Sequence, residues 1–176
     1  MLYFIHGYQS SPVGEKAILF KTTLKAIPIT YQDGACEDLV IATALDHISN
    51  AIHNDRHVVL IGSSLGGFLA TSTALIHTTV ERLILLNPAV IPPDIDLQTI
   101  QGMPRRILEE MIDPRLFEQK IAAEITILRG IHDDVIPDEW ILRFAQVQNA
   151  TIHLYDDDHR FTKNLHKLPG IIAKIV

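Results

Sequence analysis

The sequence predicts an α/β protein, with a parallel β-sheet covered by helices on both faces. Three observations predict it. Short β-branched runs alternate with longer helical patterns along the 176 residues. Three runs are almost continuously apolar: Val58-Val59-Leu60-Ile61, Leu83-Ile84-Leu85-Leu86 and Ile125-Thr126-Ile127-Leu128. Such runs mark strands buried on both faces. The β-α-β-α order has no internal repeat, low-complexity tract or linker, so one domain over residues 1–176 is expected.

The elements follow in order. Strands are expected at Leu2–His6, Ile27–Tyr31, His57–Ile61, Arg82–Leu86, Glu124–Arg129 and Thr151–Tyr155. Ser11-Pro12 reads as an N-cap followed by proline, opening a helix towards Lys25. Ile41, Leu45, Ile48 and Ile52 recur at spacings of four, three and four, which forms one helical stripe. Further helices are expected after Ser64, around Thr99, after Pro137 and near Pro169. Between two core strands, residues 88–123 hold Pro88, Pro92, Pro93, Pro104 and Pro114. Prolines exclude one continuous helix there. One or two short helices fit, either as an irregular crossover or as a small cap shaping a pocket.

Composition excludes several classes. There are 15 Lys and Arg against 21 Asp and Glu, a formal net charge of -6. The cations form no stripe, which argues against nucleic acid or an anionic membrane surface as partner. No apolar run approaches the roughly 20 residues that span a bilayer. The N-terminus lacks a basic region and a small-residue cleavage site, so it reads as a strand rather than a signal peptide. Cys36 is the single cysteine. An intramolecular disulfide is therefore impossible, and a reducing cytoplasm is the default location. Cys36 itself reads as a plain loop or buried thiol. No pattern sets the oligomeric state.

The strongest chemical signal is Gly62-Ser63-Ser64-Leu65-Gly66-Gly67, between a buried strand and a helical run. This is Gly-x-Ser-x-Gly in the context that gives it meaning. The chain must turn sharply from strand to helix, with the serine strained at the apex. Side chains at Gly62 and Gly66 would collide there. The serine oxygen is left exposed above the sheet, beside a helix N-terminus. The frame selects Ser64, because Ser63 would need glycine where Ile61 stands. A phosphate-binding turn is the competing reading. Neither a Gly-x-Gly-x-x-Gly nor a Lys-Ser/Thr pair supports it.

A serine hydroxyl needs a base and an acid. Among the later histidines, His153 lies in a strand and His166 near the terminal helix. His159 follows the last strand, where a loop can aim it at Ser64. Gly130-Ile131-His132-Asp133-Asp134-Val135-Ile136-Pro137 follows the preceding strand. Asp133, third after the glycine, is the expected acid, with Asp134 the neighbouring alternative. His6-Gly7-Tyr8 ends the first strand. The backbone N–H groups of Tyr8 and Leu65 are expected to form the oxyanion hole, with Gly7 permitting close approach.

These residues resemble an α/β-hydrolase with a minimal parallel sheet, and in particular the small bacterial YqiA-like esterases. The resembling segments are His6-Gly7-Tyr8-Gln9-Ser10-Ser11-Pro12, the elbow, Asn87-Pro88-Ala89, Asp133-Asp134-Val135 and His159-Arg160-Phe161. The resemblance implies action on a small-molecule acyl ester or thioester, with no metal and no organic cofactor. It also implies that the first two strands of larger hydrolases are absent. One departure concerns the histidine, which glycine usually precedes. Here Asp156-Asp157-Asp158 stands instead, a residue type that tolerates left-handed backbone. Three carboxylates would raise a nearby histidine's pKa. A solvated turn and a cation site are the other readings of this run. The expected function is ester or thioester hydrolysis through an acyl-enzyme. An amidase or peptidase with the same triad, and a non-catalytic ligand-binding module on this fold, are the alternatives.

Overall fold

Side-chain alternation sorts the strand residues between two helical layers. The computed structural model describes residues 1–176. Its six strands are β1 (Leu2–Ile5), β2 (Ile27–Pro28), β3 (Val58–Ser63), β4 (Val80–Leu86), β5 (Glu124–Gly130) and β6 (Thr151–Tyr155). They form one sheet in the order β2-β1-β3-β4-β5-β6, and every neighbouring pair is parallel.

Seven helices join them: α1 (Glu15–Leu24), α2 (Ile41–Ile52), α3 (Leu65–Ile76), α4 (Arg105–Glu110), α5 (Arg115–Glu118), α6 (Asp138–Gln148) and α7 (Leu168–Ile172). Tyr3, Ile5, Leu60, Leu83, Leu85 and Ile127 face α2, α3 and α6 in a core of 35 buried residues. Phe4, Ile61, Ile84, Leu86 and Leu128 face α1 and α7 in a second core of 11. Both faces of the central strands are therefore buried, which is why their sequences lack polar alternation. No helix is long and apolar enough to cross a membrane.

Local chemistry explains where the elements depart from expectation. The first helix begins at Glu15, not beside Ser11-Pro12. The Gly14 N–H donates to the Ser11 carbonyl at 3.0 Å, and a side chain at Gly14 would sit 3.0 Å from Ser10 Oγ. The chain first folds a turn over Gly14, and helical rise starts only beyond it. Strand β2 has just two paired residues. Its proline suits an edge position, and Tyr31 leaves the sheet to stack on His6 at 4.4 Å. Around Thr99 there is only a short 3-10 turn, Leu97–Thr99. The first α-helix of that segment waits until Arg105, after Pro104. In α2 the buried stripe is Ile41, Ala44, Ile48 and Ile52, with Leu45 half-buried.

Segment 88–123 contributes to the larger core. Val90, Ile91, Ile107, Leu108 and Met111 are buried there. Glu110 Oε2 accepts the Ile41 N–H at 2.8 Å, at the start of α2. Arg106 donates to the Leu39 carbonyl at 2.9 Å. One short helix, α4, thus pins the loop that precedes α2.

Candidate active site

Ser64 stands between β3 and α3 with φ 54° and ψ -118°. This is a sparsely populated conformation for a residue with a side chain, and it persists only under strong constraint. The constraint is visible in the backbone. The Ser64 N–H donates to the Leu86 carbonyl at 2.9 Å. Its carbonyl accepts the N–H groups of Gly67 at 2.8 Å and Ala89 at 3.0 Å. A side chain at Gly62 would overlap the Gly66 carbonyl, and one at Gly66 would overlap the carbonyls of Ile5 and His6. Both elbow glycines are thus required by close approach.

The other expected residues converge on this serine. His159 Nε2 lies 3.0 Å from Ser64 Oγ, and His159 Nδ1 lies 2.9 Å from Asp133 Oδ2. With the imidazole proton on Nδ1, Nε2 is free to accept from the serine hydroxyl. The Asp133 side chain is fully buried, while that of His159 is 16 % exposed. Asp133 Oδ1 accepts the N–H groups of Val135 at 2.8 Å and Ile136 at 3.0 Å. Burial alone would raise this carboxyl. The hydrogen bonds from His159, Ile136 and Val135, with the charge of His159, outweigh burial and hold it below the ordinary value. Asp134 is exposed and is not bonded to the imidazole.

A side chain at Gly7 would sit 3.3 Å from Ser64 Cβ, so the His6-Gly7-Tyr8 turn packs directly on the elbow. The Tyr8 N–H has no acceptor within the protein. Leu65 opens α3, so its N–H has no intrahelical acceptor either. The Tyr31 hydroxyl, 3.2 Å from the His6 carbonyl oxygen, braces the same turn. Burial lowers the His6 pKa, partly opposed by the neighbouring Gly7 carbonyl.

The acidic run before the histidine has a structural assignment. Asp157 is buried. It accepts the N–H groups of Lys163 at 3.0 Å and Asn164 at 2.8 Å, and Asn164 Nδ2 at 2.9 Å. Asp158 Oδ1 accepts from the N–H groups of Arg160 and Thr162 at 2.9 and 3.0 Å. Asp156 pairs with His132 at 2.9 Å and with Lys163. None of the three carboxylates is bonded to His159. None adopts left-handed backbone either; that role falls to Phe161, with φ 59°. No group of three or more His, Cys, Asp or Glu side chains is placed to hold a metal.

Two residues given no individual role by the sequence reading hold the frame together. Asn87, fully buried with φ 43°, donates from Nδ2 to the carbonyls of Asp158 and His159 at 3.2 and 3.0 Å. Its Oδ1 accepts the Gly130 N–H at 2.9 Å. The Asn-Pro-Ala segment thus bridges the elbow, the end of β5 and the histidine turn. Arg129 is buried behind Asp133 and bonded to it. Its position in a strand otherwise buried by apolar residues was the available signal, since a buried cation requires a partner.

A parallel sheet with this strand order and a strained serine elbow after β3 defines an α/β-hydrolase fold. Solved structures agree. Est1E from Butyrivibrio proteoclasticus, bound to ferulic acid, superposes with a TM-score of 0.79 at 17% identity, covering 99% of this chain and 87% of that one. Alpha/beta hydrolase domain-containing protein 10 from mouse gives 0.73 at 20% identity, with 99% and 88% covered. A monoacylglycerol lipase from Paleococcus ferrophilus gives 0.75 at 14% identity, with 98% and 92% covered. The chain belongs to UPF0227, an uncharacterised protein family whose profile matches residues 1–175. This is the YqiA-like family that the sequence motifs resemble. No curated protein matches in sequence.

Proposed function

We propose that the protein is a serine hydrolase that cleaves carboxylic esters or thioesters through an acyl-enzyme. The observation that carries this reading is the unbroken chain from Ser64 Oγ through His159 to Asp133, with contacts of 3.0 and 2.9 Å. A buried, fully bonded carboxylate behind an imidazole that reaches a strained serine has one evident chemical use. It makes the serine a nucleophile.

Ser64 Oγ attacks the substrate carbonyl as its proton passes to His159 Nε2. The carbonyl oxygen becomes an oxyanion, received by the N–H groups of Tyr8 and Leu65. The bond to the leaving alcohol or thiol breaks, and His159 returns the proton to that group. Water then attacks the acyl-enzyme, again losing a proton to His159. Collapse releases the acid and restores Ser64. Asp133 stays ionised throughout and stabilises the imidazolium. Residues 88–123 pack into the larger core and border the elbow through Pro88 and Ala89. Two structural neighbours, a monoacylglycerol lipase and Est1E with bound ferulic acid, a carboxylic acid, support ester chemistry.

A fluorophosphonate probe tests the reading. Folded wild type should be labelled at Ser64 and should hydrolyse p-nitrophenyl esters. Ser64→Ala should lose labelling and about 10⁴-fold or more of kcat. Unlabelled, inactive, folded wild type would overturn it. Ligand binding without turnover would favour the non-catalytic module. Comparing ester, thioester and amide substrates with one acyl group separates esterase, thioesterase and amidase.

A further inference from the structure

We infer that Arg129 is a positioning residue that extends the Ser64–His159–Asp133 chain by one member and sets the pH range over which His159 is a neutral base. The inference rests on the hydrolase reading above and names a control of that same site.

The geometry is specific. Arg129 Nη1 donates to Asp133 Oδ2, the same oxygen that receives His159 Nδ1. Its side chain is 4 % exposed. Every face of the guanidinium is engaged. Nε donates to Asp138 Oδ1 at 2.9 Å, Nη2 to the Ile136 carbonyl at 2.7 Å, and Nη1 also lies 3.3 Å from Asn87 Oδ1. A guanidinium so held cannot turn away, and it stays charged at all working pH values.

Two consequences follow from elementary electrostatics. Asp133 Oδ2 divides its negative charge between two cations whenever His159 is protonated. The imidazolium is then less stabilised than it would be by a lone aspartate, and Arg129 also repels it directly. Both effects favour the neutral imidazole and extend activity towards lower pH. Other charges face the same place. Asp157, Asp158 and Arg160 lie on the histidine's own turn, and Lys16 of α1 is within charge range of them. Asp138 of α6 stands behind Arg129, with its side chain 72 % exposed. Asp156 and His132 form a separate exposed pair. Of these cations, only Arg129 is bonded to the triad carboxylate.

The test is an NMR titration of the His159 imidazole, run in the Ser64→Ala background so that no substrate is needed. Arg129→Met should raise the midpoint by about one pH unit. Arg129→Lys, which keeps the charge, should return most of that shift. In the Ser64 enzymes, the acid limb of kcat/KM should move with the titration, a loss of about tenfold at pH values below the midpoint. Asp138→Asn changes an exposed side chain and removes the competing carboxylate. It should move the midpoint slightly down, and it reports even where Arg129→Met does not fold. An unmoved midpoint in folded Arg129→Met, a Lys variant no closer to wild type than Met, or an upward or absent shift in Asp138→Asn would overturn the inference. Those outcomes leave the hydrolase reading intact. Unlabelled, inactive wild type would overturn that reading without touching the titration.

Discussion

The elbow at Gly62–Gly67 and the turn at Asp156–Asn164 bring Ser64 and His159 together, and they are built by opposite means. Backbone packing makes the elbow. Gly66 lies against the carbonyls of Ile5 and His6, and Ser64 is held by four main-chain hydrogen bonds. No side chain caps it. Side-chain hydrogen bonds make the histidine turn. Asp157, Asp158 and Asn87 gather its N–H and C=O groups from inside and outside the turn. The difference teaches that a strained residue is best held by contacts that cannot rotate. A surface loop with several possible shapes is instead specified by polar groups that each satisfy a defined partner.

The comparison can be broken most severely at the elbow. Gly66→Ala would force a methyl group into two main-chain carbonyls that have nowhere to move. A loss of about 4 kcal/mol is expected in urea unfolding. The turn should break next. Asp157→Ala strands the N–H groups of Lys163 and Asn164 in a buried place, at a cost of about 3 kcal/mol. Activity should fall with it as His159 loses its aim, whereas Asp157→Asn keeps one acceptor oxygen and should retain part of both. Asp156→Ala, at an exposed side chain, should leave stability nearly unchanged.

A smaller effect sharpens the claim of strain. Ser64→Gly removes the side chain that disfavours φ 54°. The variant should be inactive yet more stable by about 1 kcal/mol, read as a raised Tm. A Tm at or below wild type would mean that the elbow stores no strain at Ser64.

The smallest effect is in acid. Asp133 has a folded pKa below its ordinary value of 3.8, so the unfolded chain binds the proton more readily. Its contribution is present above that ordinary value and is lost as pH falls through the folded one. Wild-type stability should therefore decline below about pH 4 with a component that Asp133→Asn lacks. Parallel urea midpoints for the two proteins from pH 5 to pH 2.5, a range of about three units, check this.

Much of the site was legible because its constraints are local. Five residues from Gly62 to Gly66 encode the elbow: a side chain at Gly62 would collide within the turn itself, whereas Gly66 is required by the neighbouring end of β1. The places of Asp133 and His159 after the fifth and sixth strands single them out as candidates, and the fold brings both into one chain of contacts with Ser64. The helix start was misread at Ser11-Pro12, because the turn that folds over Gly14 depends on how the chain leaves β1. The three aspartates suggested left-handed backbone, yet Phe161 adopts it, held by full burial beneath the turn. Gly130 is equally telling. A side chain there would meet the carbonyls of Asp157 and Asp158 at 2.7 Å, a neighbour that no local pattern reveals.

By itself, the sequence determined the parallel sheet and which serine stands at the strained elbow. Apolar periodicity and glycine spacing act over a few residues, and so they are written where they act. The tertiary structure alone decided which polar groups meet. Asn87, Arg129 and Asp157 bond to partners up to 72 residues away. A buried polar group states only that it needs a partner, and folding chooses which one.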